Sequence, residues 1–164
     1  MGFIDTAPGT NLPIFYNVVR AVGKGCPNSS DDVKLIQYLL IALYEKSAEL
    51  ELSKPGGEMA VTGYCGPVTM HWIMKFQMDC NQRSPRSVAM DGRIDRIRQK
   101  DFIGSISKTL YGLSVLNFTV AEFNPAAFAA LSALVPLQNP LTVPPPSSDM
   151  VNQPTQVVPA SGGM

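Results

Sequence analysis

A proline placed directly after a glycine turn limits where a helix can begin, and this chain has such a junction at Thr62-Gly63-Tyr64-Cys65-Gly66-Pro67-Val68-Thr69. Proline at the first helical position costs little, because the N–H there has no intrahelical partner and the ring pre-sets a helical φ. Gly63 and Gly66 give the preceding turn backbone freedom. Ile73, Phe76, Gln77 and Cys80 then recur at helical spacing. The segment therefore predicts a helix from Pro67 to about Asn81 with one inward face. Gln77 on that face adds a second constraint, since a buried amide needs hydrogen-bond partners.

An earlier helix is expected from Asp32 to about Glu45, with Ile36, Leu39, Leu40 and Leu43 inward and Gln37 beside them, echoing Gln77. Ser30 or Asp31 is the expected N-cap. Lys54-Pro55-Gly56-Gly57 turns the chain, and Met59-Ala60-Val61 reads as a short extended piece. Asp91-Gly92 between apolar residues is a strong turn signal. A third helix is expected from about Asp101 to Leu116, with Phe102, Ile106, Leu110 and Leu113 inward. Asn124-Pro125 opens a short apolar helix to about Leu134.

The placement of charge divides the chain. Only Asp5 precedes Arg20, and only Glu122 and Asp149 follow Lys108. The expected organisation is an N-terminal arm over residues 1–21, a helical domain over 22–118, a short apolar helix over 119–135, and an uncharged tail over 136–164. That tail holds seven prolines and one charge in 29 residues, a composition that builds no core of its own. Net charge is zero with a charged fraction of 16%, so no electrostatic footprint for nucleic acid exists. No apolar run is long enough to span a bilayer. Met1 to Thr6 lacks the basic and apolar regions of a signal peptide. Synthesis in the cytoplasm without a signal peptide is expected, with a virion or a secreted particle as a destination.

In their order and spacing, Asp32-Val33-Lys34-Leu35-Ile36-Gln37-Tyr38-Leu39-Leu40, Val61 to Thr69, Phe76-Gln77 and Met90-Asp91-Gly92-Arg93-Ile94-Asp95 resemble the peptidoglycan-binding-domain-like family over about Val22 to Asn117. The resemblance implies a mainly α, three-helix fold with a pseudo-repeated turn before helices two and three. To it this chain adds a short C-terminal helix and extended, proline-rich arms. It departs from the family where Arg96-Ile97-Arg98-Gln99-Lys100 replaces a second Gly-Pro-x-Thr helix start, and where Cys65 stands in place of an aromatic. The resemblance also implies a glycan groove between the two turns, with Tyr64, Gln77, Asn81 and Arg93 as ligand-binding residues.

Cys26, Cys65 and Cys80 are too widely spaced for a zinc ribbon or a redox pair and read as reduced thiols. His71 is the sole histidine, and its spacing from Cys65 and Cys80 does not favour a Cys–His nucleophile. No catalytic residue, metal ligand or cofactor is expected. Asp91, Asp95 and Asp101 with Arg93, Arg96, Arg98 and Lys100 read either as a polar groove or as a solvated loop with weak ion pairs.

The chain is thus expected to be a non-catalytic structural or adaptor subunit of a larger assembly, of the phage-particle or injection-machine type. Its neighbours would be like or unlike protein subunits, touched through Trp72 and through Leu137, Leu141, Val143, Val157 and Val158. The alternative is a peptidoglycan-binding module that targets a partner or particle to the wall.

Overall fold

The computed structural model of this protein describes residues 1–99, 101–104 and 108–135. Two short strands, β1 (Phe3–Thr6) and β2 (Ile14–Asn17), form an antiparallel hairpin with Phe3 opposite Asn17 and Thr6 opposite Ile14. β3 (Val22–Gly23) pairs antiparallel with the distant β4 (Arg93–Ile94). The helices are α1 (Ser30–Tyr44), α2 (Ser47–Leu50), α3 (Pro67–Arg83), α4 (Gly112–Phe123) and α5 (Pro125–Ala130), followed by a 3-10 turn at Leu131–Ala133. The architecture is helical with two small sheets, so the expectation of a mainly α chain is corrected to a mixed one.

α1 and α3 form close to where the apolar spacing places them. α1 buries Val33, Leu35, Ile36, Leu39, Leu40 and Leu43. Its cap is Ser29 rather than Ser30 or Asp31; the Ser29 hydroxyl donates to Asp32 Oδ2 (3.2 Å) instead of accepting a free amide. Acidic residues Asp31 and Asp32 in its first turn suit the positive end of the helix dipole. α3 opens on Pro67 and buries Thr69, Trp72, Ile73 and Phe76 at i, i+3, i+4 and i+7. Trp72 belongs to that face: it is 2% exposed, packs edge-on to Tyr44 at 5.6 Å and donates Nε1–H to Gly56 O (3.1 Å). It is core, not a partner contact.

The third helix starts eleven residues later than expected. Residues 101–104 and 108–111 are not helical: Phe102 and Lys108 hold left-handed backbone, Ile103 bridges Leu110, and Leu110 N–H donates to Ser87 O (3.0 Å). Phe102 is nonetheless inward, edge-on to Phe15 (5.4 Å) and Phe118 (5.6 Å), whereas Leu110 is exposed. Leu113 is buried at the start of α4. Ile106 lies outside the described residues.

The first 21 residues, expected as an arm, are part of the core. Phe15 and Val18 are fully buried, and Phe3, Leu12 and Tyr16 nearly so. A large apolar side chain so placed contributes roughly 1.5–3 kcal/mol. Three polar side chains bolt the segment down. Asn117 accepts from Tyr16 N–H (2.8 Å) and donates to Tyr16 O (2.9 Å). Asn17 donates to Ile97 O (2.9 Å) and Asp5 Oδ2 (3.1 Å), and accepts from Val18 and Ile97 N–H. Asp32 accepts from the N–H groups of Val19 and Arg20, each at 2.9 Å. Such paired buried groups fix one arrangement, because any slip leaves them unsatisfied.

The boundary expected at residues 118/119 falls inside α4. Beyond it, α5 lies across α1 and the hairpin: Tyr38 hydroxyl donates to Ala127 O (3.0 Å), and Tyr16 hydroxyl to Phe128 O (2.7 Å). Asn124 does not cap α5 with its side chain; its amide reaches back to Ala42 O (3.0 Å) and Glu45 Oε1 (3.1 Å). Met59-Ala60-Val61 forms no strand. No helix among the described residues is long and apolar enough to cross a membrane. The tail over 136–164, with Leu137, Leu141, Val143, Val157 and Val158, lies outside the described residues.

Candidate functional site

Two glutamines, one on each of the long helices α1 and α3, clamp the two glycine turns. Gln37 Oε1 accepts from the N–H groups of Thr62 (2.8 Å) and Gly63 (2.9 Å), and Nε2 donates to Tyr64 O, Thr62 Oγ1 and Thr69 Oγ1. Gln77 Oε1 accepts from Gly92 N–H (2.8 Å), and Nε2 donates to Arg93 O (2.9 Å) and Asp91 Oδ1 (3.2 Å). Both side chains are buried, and each meets its need for partners in a turn's backbone. Gly63 and Gly92 take the left-handed conformation that this geometry demands, with φ of 83° and 72°. Gly66 does not; a Cβ there would press into the Tyr64 ring, so its smallness serves packing.

The second turn opens on a cleft, whereas the first borders only a shallow hollow. The cleft encloses about 630 Å³. It is lined by Gln77, Asp91, Arg93, Asp95, Arg96 and Arg98, and by Thr109, Leu110, Tyr111 and Gly112 at the head of α4. Arg93 pairs with Asp95 at 3.0 Å, both half-exposed, and that carboxylate holds the guanidinium up from its ordinary value. Asp91 Oδ1 also accepts from Arg93 N–H (3.0 Å). Arg96 lies over the Phe3 ring at 5.1 Å. Burial, with the like charge of Arg98 beside it, pushes its guanidinium down.

The four expected ligand residues do not converge. Gln77 and Arg93 line the cleft, but Gln77 is spent on its clamp. Asn81 is structural: it donates to Val88 O (3.1 Å) and accepts from Val88 N–H (3.2 Å), closing the loop after α3. Tyr64 is 73% exposed on the other turn, beside a separate shallow hollow of about 190 Å³. The expected groove between the two turns is therefore replaced by one beside the second turn alone. Tyr111 and Thr109 had no sequence signal, because their segment reads as helix interior.

The thiols are free. Burial, with Asp79 nearby, pushes Cys80 up to about 12, and burial raises Cys26 and Cys65 as well. Raised thiols are poor nucleophiles near neutral pH. His71 is exposed on the outer face of α3. Tyr44 hydroxyl donates to Asp79 Oδ2 (2.6 Å), which also pairs with Lys75 (2.8 Å); this network ties α1 to α3. Among the described residues no three His, Cys, Asp or Glu side chains are grouped to hold a metal ion.

No family model matches the chain, and neither a curated protein nor a solved structure matches it.

Proposed function

We propose that this chain is a non-catalytic recognition module that binds a polar cell-wall polymer, peptidoglycan, in the cleft beside the Asp91-Gly92 turn. The observation that carries the reading is the cleft itself: an open space of about 630 Å³ with arginines, aspartates, a tyrosine and a threonine around it. Concave sites with converging polar groups are where ligands bind. The doubled glutamine clamp agrees with the pseudo-repeated turn that the family resemblance implies. The reading goes ahead of an assembly role because residues 1–21, expected as a free arm, are consumed by the core.

Because those residues belong to the core, the test uses the full chain. It is incubated with purified sacculi and sedimented. Retention that is lost on Arg93→Ala with Arg98→Ala is expected. No retention at any salt concentration rejects wall binding.

A second reading, a structural or adaptor subunit of a larger particle, draws on a specific surface. Val68, Met74 and Met78 of α3 are exposed, and so is Met90 on the following loop. Exposed apolar groups of this kind suit a protein contact, and the tail composition agrees with it. Sedimentation equilibrium of the full chain tests this: self-association weakened by Met74→Gln with Met78→Gln supports it, and a monomer that binds sacculi rejects the homo-oligomeric form.

A further inference from the structure

We infer that Arg96 and Arg98 form a carboxylate-recognition subsite in the cleft, so that the ligand is held by an acidic end as well as by its polar flanks. The inference rests on the cleft being a ligand site, and it deepens that reading by assigning the ligand's charge.

Three observations lead to it. First, the charges of the cleft are unequally used. Asp95 is taken by Arg93, and Asp91 by Gln77 and the Arg93 amide. Arg96 and Arg98 have neither a hydrogen bond nor an ion pair among the described residues, and both line the cleft. Second, the nearest acidic groups behind Arg96 are occupied elsewhere. Asp32 accepts from Val19, Arg20 and Ser29, and Asp5 accepts from Asn17 and Thr6. They attract Arg96 through space without pairing with it. Third, Arg96 is partly desolvated, held over Phe3 at 5.1 Å, and repelled by Arg98.

A half-buried guanidinium beside a like charge is an unfavourable state that an anion relieves. The flat Phe3 face reduces the freedom Arg96 would lose on binding, and its fork of N–H donors matches a carboxylate bidentately. Tyr111, which also lines the cleft, supplies a hydroxyl for neutral parts of the same ligand. β1 thereby contributes to the site through Phe3, although it lies more than ninety residues away in sequence.

The experiment titrates the full chain by calorimetry with a soluble disaccharide–peptide fragment of peptidoglycan carrying free carboxylates, and with the same fragment amidated. The free acid is expected to bind about tenfold more tightly, the effect of one charge-assisted contact. Arg96→Gln should abolish that preference, and Arg96→Lys should restore part of it. A preference that survives in Arg96→Gln overturns the inference and leaves wall binding standing. Should neither fragment bind, N-acetyl-dialanine and its amide replace them. A preference for the acid that Arg96→Gln removes then upholds the subsite while wall binding falls; no preference overturns both. Inorganic phosphate is the competitor: displacement by phosphate with no preference between acid and amide overturns the carboxylate assignment. If Arg96→Gln does not fold, as judged by its melting curve, Arg98→Gln on the exposed side of the pair carries the same comparison.

Discussion

The turn at Thr62–Tyr64 and the turn at Asp91–Arg93 are held by the same device, a helical glutamine bonded to the turn's backbone, yet their surroundings differ. Gln37 makes contacts to three backbone groups and two threonine hydroxyls, and its turn runs straight into α3 through Gly66 and Pro67. Gln77 makes fewer bonds, and its turn leads into β4 and then into a stretch of arginines before the next helix begins. Where the chain enters a helix at once, only a shallow hollow remains beside the turn. Where it delays, α4 starts far enough away to leave a cleft. The clamp is scaffold in both places, and the delay makes room for a site.

The largest expected effect separates the clamps by stability. Gln37→Leu strands the N–H groups of Thr62 and Gly63 and the Tyr64 carbonyl, and should cost about 3 kcal/mol in urea unfolding; Gln77→Leu strands Gly92 N–H and Arg93 O and should cost about 2 kcal/mol. A larger loss at Gln77 would break the ranking. Next come the glycines. Alanine at either position must hold a left-handed φ, at about 1 kcal/mol or more. A Cβ at Gly63 would also clash with Ser30 Oγ, whereas at Gly92 it meets the movable Met74 sulphur at 3.2 Å. Gly63→Ala should therefore melt lower than Gly92→Ala.

A smaller effect tests where the ligand sits. Tyr64→Ala should change stability by less than about 0.5 kcal/mol, as exposed substitutions do, and leave retention on sacculi intact. Arg93→Ala, which frees Asp95 in the cleft, should weaken retention while costing less than about 1 kcal/mol of stability. Reversal of the two retention results would move the site to the first turn.

The smallest effect contrasts the amide clamps, which do not titrate, with Asp32, the carboxylate that bolts the N-terminal segment. Burial pushes its carboxyl up, more than its hydrogen bonds pull it down. The folded chain thus takes up that proton more readily than the unfolded one. Its contribution is full below the unfolded carboxylate range and is lost as pH rises through the raised folded value. Relative to Asp32→Asn, the wild type should gain stability as pH falls through that window. A constant difference between the two across it would remove Asp32 as the titrating bolt.

Much of the scaffold was legible because its signals are local. Pro67 after Gly66 marked the start of α3, the apolar spacing of Ile36, Leu39, Leu40 and Leu43 marked α1, and Asp91-Gly92 marked the second turn. Two readings failed for instructive reasons. The scarcity of charge in residues 1–21 suggested an arm for docking elsewhere, but burial in the chain's own core asks for the same composition. Phe102 and Leu110 imitated helical spacing, yet Phe102 holds left-handed backbone and Leu110 N–H bonds to Ser87 O, so neither sits in a helix. Trp72 was misjudged because a stripe drawn through Ile73 and Phe76 was too narrow for a helix packed also against Tyr44.

For the candidate site, local sequence supplied the charges and tertiary structure supplied their use. The run from Asp91 to Arg98 showed that aspartates and arginines stand close together. Which of them are spent could not be read there, because pairing depends on Gln77 from α3, Phe3 from β1 and the walls of α4, all remote along the chain. The two glycine turns and the start of α3 at Pro67 follow from steric rules acting over a few residues, so the amino-acid order alone determined them. The cleft, its two arginines unpaired among the described residues, and the burial of the N-terminal segment follow from contacts between distant residues, and only the folded chain decided them.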